Sequence, residues 1–219
     1  MSNVKDAPTQ VKLKDVVIVF PKVIRGLEEA FQGKGDPYFS ASFIVSKGDA
    51  NYNAMVVGLQ AAAAKKWKEK APAMLKVCAA KDKLALHDGD LKAGKAYGAA
   101  YAGKFYVSAR NNAVKSIAPV VVDNVNDPTT GKLRVITVPN DPHAPYSGAI
   151  VNAVLDLFAY QNEGEGVAAS ITGIQFVRDG ERLGGGGTLA PDAFEAIPEA
   201  PAAGASAGAA AGANPDPFA

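Results

Sequence analysis

The chain has 219 residues, 48% hydrophobic and 21% charged, a composition typical of a soluble globular protein with one ordinary domain plus appendages, or two very small domains. One cysteine excludes an intramolecular disulfide framework, and no apolar run approaches the roughly 18 residues of a membrane span. The net charge of +1 divides into +5 over residues 1–190 and −4 over residues 191–219. A basic body with an acidic tail occurs among nucleic-acid-binding proteins, although +5 is also ordinary for a soluble protein of that size.

Two strands are predicted near the start of the chain. Residues 11–24 (VKLKDVVIVFPKVI) begin with alternation and become β-branched, and Pro21 stops the strand or places it at an edge. Residues 38–47 (YFSASFIVSK) alternate throughout, so Tyr38 points to the face opposite Phe39.

One substantial helix comes after these strands. The stretch from Asp49 to Pro72 has an apolar stripe at helical spacing, with Asp49 or Asn51 as the N-cap and Pro72 as the residue that closes the helix. Lysines around its last turns suit the negative end of the helix dipole. Trp67 lies on the apolar stripe, and we expect it to pack against a sheet.

Strands dominate the rest of the chain, after a loop-like stretch at 84–103. Residues 104–112 and 148–162 alternate, residues 166–186 indicate a last strand, and two apolar runs flank the turn NDPTTG, which predicts a hairpin. Five to seven short strands and one early helix predict a mainly β fold, either a small barrel or a sandwich.

The periodicity ends at about Gly184, and the remaining residues form an Ala/Gly/Pro-rich segment of low complexity. We therefore predict a flexible N-terminus over 1–10, one domain over 11–190, and a disordered tail over 191–219.

No catalytic or metal-binding pattern is recognisable. His87 and His143 lack ligand spacing, and Cys78 is expected to be a small apolar filler of the core. The acidic stretches at 88–90 and 123–127 lack the ligand alternation of a calcium loop, so we interpret them as turns. We expect no enzyme activity, no cofactor and no metal.

Aromatic side chains fall on strand faces that also carry polar residues. Single-stranded nucleic acid is held by rings on which bases stack, each worth roughly 1–3 kcal/mol, beside cations that follow the phosphates. Cations come from the same strands and the hairpin. The predicted DNA-binding residues are Tyr38, Lys104, Tyr106, Arg110, Lys115, Lys132, Arg134, Phe158 and Tyr160. Alternatively, the helix or a second subunit covers this face and makes the rings part of a core.

A resemblance supports this interpretation. The stretch YSGAIVNAVLDLFAYQN (146–162), with SITGIQFVRDGE (170–181) after it, resembles the C-terminal half of a bacteriophage family of single-stranded-DNA-binding proteins with an OB-fold. A weaker resemblance extends to VVIVFPKV and KFYVSARNN, so that it covers most of residues 10–186.

The resemblance implies an OB-fold-like barrel that coats unpaired DNA during phage replication and recombination, in the cytoplasm of the infected bacterium, without a cofactor. Binding by stacking and phosphate neutralisation should be largely indifferent to sequence, and we expect no membrane partner. The modest charge of the body suggests that a homodimer or a cooperative filament on DNA forms.

The last residues, NPDPFA, resemble the acidic, phenylalanine-tipped tails of bacterial and phage single-strand binders. The resemblance implies that Asp216, Pro217 and Phe218 dock on a DNA polymerase, helicase or nuclease. Two departures are that Ala219 comes after the phenylalanine and that acidic residues are sparse.

Two other functions remain open at the level of sequence. One is a structural β-protein of a virion, in which the surface aromatics serve assembly contacts. The other is a metal-dependent nuclease that uses Asp88, Asp90 and Asp123.

Overall fold

The computed structural model describes residues 8–24, 36–95, 97–113, 115, 117–161 and 164–183, which belong to one compact unit, Met1–Gly185. The strands of this part are β1 (Gln10–Lys22), β2 (Tyr38–Val45), β3 (Leu86–Asp88), β4 (Phe105–Asn112), β5 (Val120–Asn126), β6 (Leu133–Val135), β7 (Ile150–Gln161) and β8 (Glu165–Arg178). Its α-helices are α1 (Ala50–Trp67) and α2 (Ala71–Ala80). The predicted tail at 191–219 lies outside the described residues, so the domain limits stay predictions.

Five strands close a barrel in the order β1-β2-β4-β8-β7, with β7 pairing back onto β1. Neighbouring strands are antiparallel except β4 and β8, which run parallel and meet at Ala109 and Ala169. This is the five-stranded arrangement of an OB-fold. The predicted mainly β fold, an OB-fold-like small barrel with one substantial helix, is confirmed.

The seam between β4 and β8 is completed by a side chain. Asn111, which is buried, donates a hydrogen bond from Nδ2 to the carbonyl of Ile171 (2.8 Å) and accepts one at Oδ1 from the N–H of Ile171 (2.6 Å). The amide thus takes the place of a strand partner beyond the Ala109–Ala169 pair. Because both polar atoms of a buried amide are satisfied, the seam is closed without an orphaned group.

Two bulges bend β1 so that it can pair with both β2 and β7. Asp15 and Phe20 have left-handed backbone conformations, with φ of 51° and 49°. The register shifts beside each of them, against β7 between Leu13 and Val16 and against β2 between Val19 and Lys22. Bulges of this kind increase local twist and are a common means of closing a small barrel.

Helix α1 packs against β1 and β7. Asp49 caps it, because its side chain accepts the N–H of Tyr52 at 2.6 Å. Trp67 is buried in the main core, as predicted. Gly58 allows close packing on the strands, because a Cβ there would lie 2.5 Å from the side chains of Leu157 and Val11.

The predicted end of the helix is wrong in one respect. The helix ends at Trp67, and Pro72 lies in the first turn of α2, a second helix that the sequence pattern did not predict. Proline is well tolerated there because the first N–H groups of a helix have no intrahelical partner.

Side chains along each strand point alternately into and out of the barrel, and the inward ones fill its interior. Inward residues of β2, β4 and β7, such as Phe43, Val107 and Leu155, are completely buried. Cys78 is also buried and lies in this core, as expected. The predicted hairpin is confirmed as β5 and β6, which pair at Val122 and Val135 outside the barrel.

The stretch at 84–103, predicted to be a loop, packs against the outside of the barrel. It contains β3, which pairs with β4, and two short 3₁₀ turns. Tyr101 from this stretch is 1% exposed and packs with Val19, Ile44 and Tyr106 in a second, smaller core. Neither described helix is long and apolar enough to cross a membrane.

Candidate nucleic-acid interface

A groove of about 540 Å³ crosses the outer surface of β4, β8 and β7. We call it the Phe158 groove. Its lining combines two aromatic rings, one guanidinium, one carboxylate and small or polar side chains. The lining residues are Asp36, Arg110, Asn112, Phe158, Tyr160, Ala168 and Ser170.

The strand registers explain why these residues meet. Phe158 on β7 lies opposite Ala168 on β8, and Tyr38 on β2 lies opposite Asn112 on β4. The parallel contact of β4 with β8 then brings Arg110 to the other side of the same surface. Outward positions of four neighbouring strands therefore form one continuous lining.

Small side chains on β8 make this surface concave. Ala168 and Ser170 form the floor between Arg110 and Phe158. Two strand spacings separate β4 from β7, which is about 10 Å. A flat ring in van der Waals contact with a group on each side needs about 7–8 Å. The groove therefore has room for one base between the guanidinium and the phenyl ring.

The two aromatic residues of β7 differ in exposure. Phe158 is 46% exposed. Tyr160 is partly buried and lies over Gly166, its partner on β8, where a Cβ would collide with the tyrosine ring. Gly166 thus makes room for Tyr160 to lie flat at the end of the groove, while Phe158 stands open to solvent.

On the opposite side, Arg110 stacks on Tyr38. Its guanidinium carbon lies 3.6 Å from the centre of the tyrosine ring. Arg110 is exposed and, within the described part of the chain, forms no ion pair with a carboxylate. A guanidinium fixed by stacking keeps its N–H donors for an anion.

A carboxylate also borders the groove. Asp36 accepts a hydrogen bond from Asn112 Nδ2 (2.7 Å), and its Oδ2 lies 3.4 Å from Lys115 Nζ. The hydrogen bond from Asn112, together with the weaker effect of Lys115, lowers the pKa of Asp36 below its ordinary value. Lys115 is 76% exposed, so this predicted cation is near the groove but shares its charge with an aspartate.

The prediction that Tyr106 is an open stacking ring is wrong. Tyr106 is 7% exposed and stacks on His87, with ring centroids 4.9 Å apart. Lys92 Nζ lies 3.8 Å from the centre of the same ring, and Tyr101 packs against it edge-on. Burial raises the pKa of Tyr106. The covering element is the 84–103 stretch, not the helix or a second subunit.

Arg134 also differs from the free cation that was predicted. Its Nε donates to Asp123 at 3.0 Å, and its other nitrogens bind Asp123 and Asp141. Asp123 is completely buried and contacts His143 Nδ1 at 2.8 Å. Burial alone would raise the pKa of Asp123, but hydrogen bonds from Arg134 and its other partners lower it overall. Arg134 is therefore committed to an internal ion-pair network.

The remaining predicted cations lie away from the groove. Lys104 is exposed just before β4, six residues from Arg110 and so about 20 Å away along the strand. Lys132 is exposed in the turn between β5 and β6, outside the barrel. The described residues therefore bring together five of the nine predicted contacts: Tyr38, Arg110, Lys115, Phe158 and Tyr160.

Two exposed aromatic residues were missed by the sequence analysis. Phe20 and Tyr97, 46% and 39% exposed, contact each other edge-to-face with centroids 5.4 Å apart. Both have left-handed backbones, with φ of 49° and 67°. The bulge at Phe20 could not be predicted, because the apolar strand pattern of the sequence continues through this residue. Tyr97 comes from a stretch without periodicity, so its sequence gives no indication of its position.

The acidic residues of the alternative nuclease site do not form a metal centre. Asp88 and Asp90 accept the N–H groups of Asp90 and Gly103, where β3 leads into a 3₁₀ turn, as interpreted, but residues 123–126 belong to strand β5 and are not a turn. Asp123 is held by Arg134. Among the residues that the structure describes, no three His, Cys, Asp or Glu side chains gather to hold a metal ion. The proposed tail contacts Asp216, Pro217 and Phe218 lie outside the described residues.

Comparisons with known proteins place this barrel in a family. The family described as "Enterobacter phage Enc34, ssDNA-binding protein" matches residues 9–203. Protein p50 of Acyrthosiphon pisum secondary endosymbiont phage 1 is 30% identical over 189 residues, which are 85% of this chain and 92% of that protein.

Solved structures show the same fold. The single-stranded DNA-binding protein from bacteriophage Enc34 is similar with a TM-score of 0.55 at 20% identity, over 85% of this chain and 90% of that one. The same phage protein in complex with ssDNA is similar with a TM-score of 0.53 at 17% identity, over 80% and 90% of the two chains. Since the family match spans most of the chain, this protein belongs to the family of the phage Enc34 single-stranded-DNA-binding protein.

Proposed function

We propose that this protein binds single-stranded DNA in the Phe158 groove without reading its sequence. Bases stack on Phe158 and Tyr160, and on the Tyr38–Arg110 pair, while Arg110 and Lys115 neutralise phosphates. The observation that carries this proposal is that an exposed phenyl ring, a partly buried tyrosine ring and a guanidinium without an ion pair among the described residues meet in one groove of a barrel whose family binds single-stranded DNA. The solved complex of the Enc34 protein with ssDNA supports the same ligand.

The position of the groove on the barrel supports this assignment. OB-folds bind oligonucleotides on the face of their second and third strands and with the loops after the first and fourth strands. In this barrel those strands are β2 and β4, and the loops come after β1 and β7. The groove takes Arg110 and Asn112 from β4, is bordered by Tyr38 on β2, and extends over β8 to Phe158 and Tyr160 on β7, so it overlaps this face on one side.

The chemistry of the groove favours binding that is indifferent to sequence. Every base has a π-face, so a phenyl ring and a stacked guanidinium accept any of the four bases. Phosphate contacts add affinity without sequence information, and they release counterions from the strand. We therefore expect affinity to fall with salt, with a slope of log K against log salt of about −0.7 per phosphate contact.

We further propose that the protein coats unpaired DNA during phage replication and recombination, and that Phe218 at the end of the tail recruits a partner protein. The composition of residues 191–219 supports a tether, because Ala/Gly/Pro-rich segments with few apolar side chains do not form a core. A flexible tether raises the local concentration of the partner at the DNA. Deletion of 191–219 should leave DNA affinity equal or slightly higher and abolish binding to a polymerase, helicase or nuclease. Unchanged partner binding would contradict the role of the tail.

The direct test of DNA binding is a titration of end-labelled oligothymidylate, monitored by fluorescence anisotropy. Intrinsic fluorescence is a poor reporter here, because Trp67 is buried in the core away from the groove. We expect binding that weakens steeply with added salt, and similar affinities for mixed-sequence oligonucleotides. Absence of binding at high micromolar protein would overturn the proposal. A metal-dependent loss of the oligonucleotide would favour a nuclease instead.

A further inference from the structure

A second cavity adjoins the Phe158 groove at the C-terminal end of α1. It has a volume of about 220 Å³, and we call it the α1 cleft. It lies between the last turns of the helix, the residue before β1 and the end of β7. Its lining residues are Thr9, Ala62, Lys65, Lys66, Leu157, Phe158 and Ala159.

The two cavities share one lining residue. Phe158 lines both the groove and the cleft, so the cleft begins where the groove ends. The helix is held close at this place, because Gly58 packs directly against Leu157 and Val11. A DNA strand that leaves the groove over Phe158 would therefore reach the C-terminal end of α1 next.

The charge of the cleft suits a phosphate backbone. Lys65 and Lys66 are exposed, and neither forms an ion pair with any carboxylate in the described part of the chain. The lining contains no acidic side chain. Lysines in the last turn also offset the helix dipole, which explains a positive charge there. The dipole alone does not explain why both lysines border an open cavity beside an exposed phenyl ring.

We propose that single-stranded DNA continues past Phe158 into the α1 cleft, where Lys65 and Lys66 neutralise the phosphates next to the base stacked on that ring. The small side chains Ala62 and Ala159 leave space for the backbone. This inference rests on the proposed function and extends the binding site from the barrel onto a helix.

The test is the salt dependence of oligothymidylate binding by a Lys65→Gln/Lys66→Gln double variant. Loss of two phosphate contacts should reduce the slope of log K against log salt by about 1.4, because each contact contributes about 0.7 on single strands. The matched control is Lys68→Gln/Lys70→Gln, which removes two exposed lysines from the next turn that do not line the cleft. The control should keep the wild-type slope.

Oligonucleotide length provides a second readout. OB-folds occupy about 4–16 nucleotides, so a 4-mer can fill the groove alone while a 16-mer can also reach the cleft. The double variant should lose affinity for the 16-mer and keep wild-type affinity for the 4-mer.

The outcomes separate the two proposals. If wild type binds DNA and the slope of log K against log salt is the same in the double variant, DNA does not contact the lysines of the α1 cleft. Binding in the Phe158 groove would remain supported. An equal loss in the control would also overturn binding in the α1 cleft, because the lysines would then act only through general charge. A wild-type protein that does not bind would overturn the proposed function itself.

Discussion

Tyr106 and Arg110 lie on the same outer face of β4, four residues apart, in opposite surroundings. Tyr106 is sealed under the 84–103 stretch, between His87, Lys92 and Tyr101. Arg110 stacks on Tyr38 at the open end of the face and borders the Phe158 groove. The difference shows that a polar strand face is open to a ligand only where no other segment packs on it.

The same contrast holds for the two arginines that were predicted to contact DNA. Arg134 is bound by Asp123 and Asp141, whereas Arg110 stacks on a tyrosine ring and forms no ion pair with a carboxylate of the described residues. A cation already paired with carboxylates gains little from a phosphate. We therefore expect Tyr106 and Arg134 to contribute to stability, and we propose Arg110 and Phe158 as DNA contacts.

The largest expected effect concerns Tyr106, at the covered end of the outer face of β4. Tyr106→Ala removes a buried ring from the smaller core and should lower the free energy of unfolding by about 3 kcal/mol, near the lower end for buried aromatic residues. Urea denaturation measures this loss. The control is Phe158→Ala, which removes a half-exposed ring from the groove and should change the free energy of unfolding by about 1 kcal/mol or less. Equal stability of the two variants would break the comparison.

The next effect concerns the ion pair between Arg134 and Asp123. Asp123→Asn replaces a buried carboxylate that accepts from Arg134, and it should cost about 1.5–3 kcal/mol of stability, as for hydrogen bonds to charged groups. DNA affinity should be unchanged, because Arg134 lies outside the groove. A large loss of DNA affinity at unchanged stability would show that this network belongs to the binding site.

The stability difference between wild type and Asp123→Asn should also depend on pH. The pKa of Asp123 is lowered in the folded protein, so the ionised carboxylate stabilises the fold above the unfolded pKa of about 3.9. This contribution is lost as the pH falls through the folded pKa. The difference between the two proteins should therefore shrink as the pH falls from about 5 towards 3. A constant difference down to pH 3 would contradict the role of the ionised carboxylate.

Phe158→Ala tests the role of the open groove in DNA binding. Loss of one stacking ring should weaken binding of oligothymidylate by about 1–3 kcal/mol, which is roughly 5- to 150-fold. Stability should change little, because the ring is half exposed. Val135→Ala removes a comparably exposed apolar side chain from β6 and should leave DNA affinity unchanged. Equal affinity of Phe158→Ala and wild type would remove the ring from the site.

The smallest effect concerns the carboxylate at the groove. Asp36→Asn keeps an oxygen that can accept from Asn112, but it removes a negative charge and frees Lys115 for phosphate. We expect affinity to rise a few-fold at low salt and the gain to disappear at high salt, because exposed charges are screened. Anisotropy titrations at two salt concentrations measure it. A loss of affinity would show that Asp36 orients the groove instead of opposing DNA.

Strand faces could be predicted from the sequence because side chains alternate with a period of two. That rule correctly placed Phe158 and Tyr160 outward on β7 and Phe43 inward on β2. It also placed Tyr106 outward, which is correct, but it carries no information about what packs on the outside. The covering stretch has no periodicity of its own, and its buried Tyr101 could not be recognised.

Side-chain contacts between residues that are far apart in the sequence could not be predicted either. Nothing in the spacing of residues 123, 134 and 141 indicates that their side chains meet, since that depends on how the hairpin folds back. The closure of the barrel by Asn111 and the position of α1 beside Phe158 are also properties of the tertiary structure. For these reasons the fold class and part of the groove were predictable, and the cleft was not.

The most direct test of DNA binding in the Phe158 groove is photocrosslinking of the wild-type protein to oligothymidylate that carries 5-iodouracil, with the crosslinked residues identified by mass spectrometry. We expect crosslinks on Phe158 or Tyr160 and on Tyr38, the rings of the open groove. Crosslinks confined to the Phe20–Tyr97 pair or to the β5–β6 hairpin, with none on β7, would contradict binding in this groove.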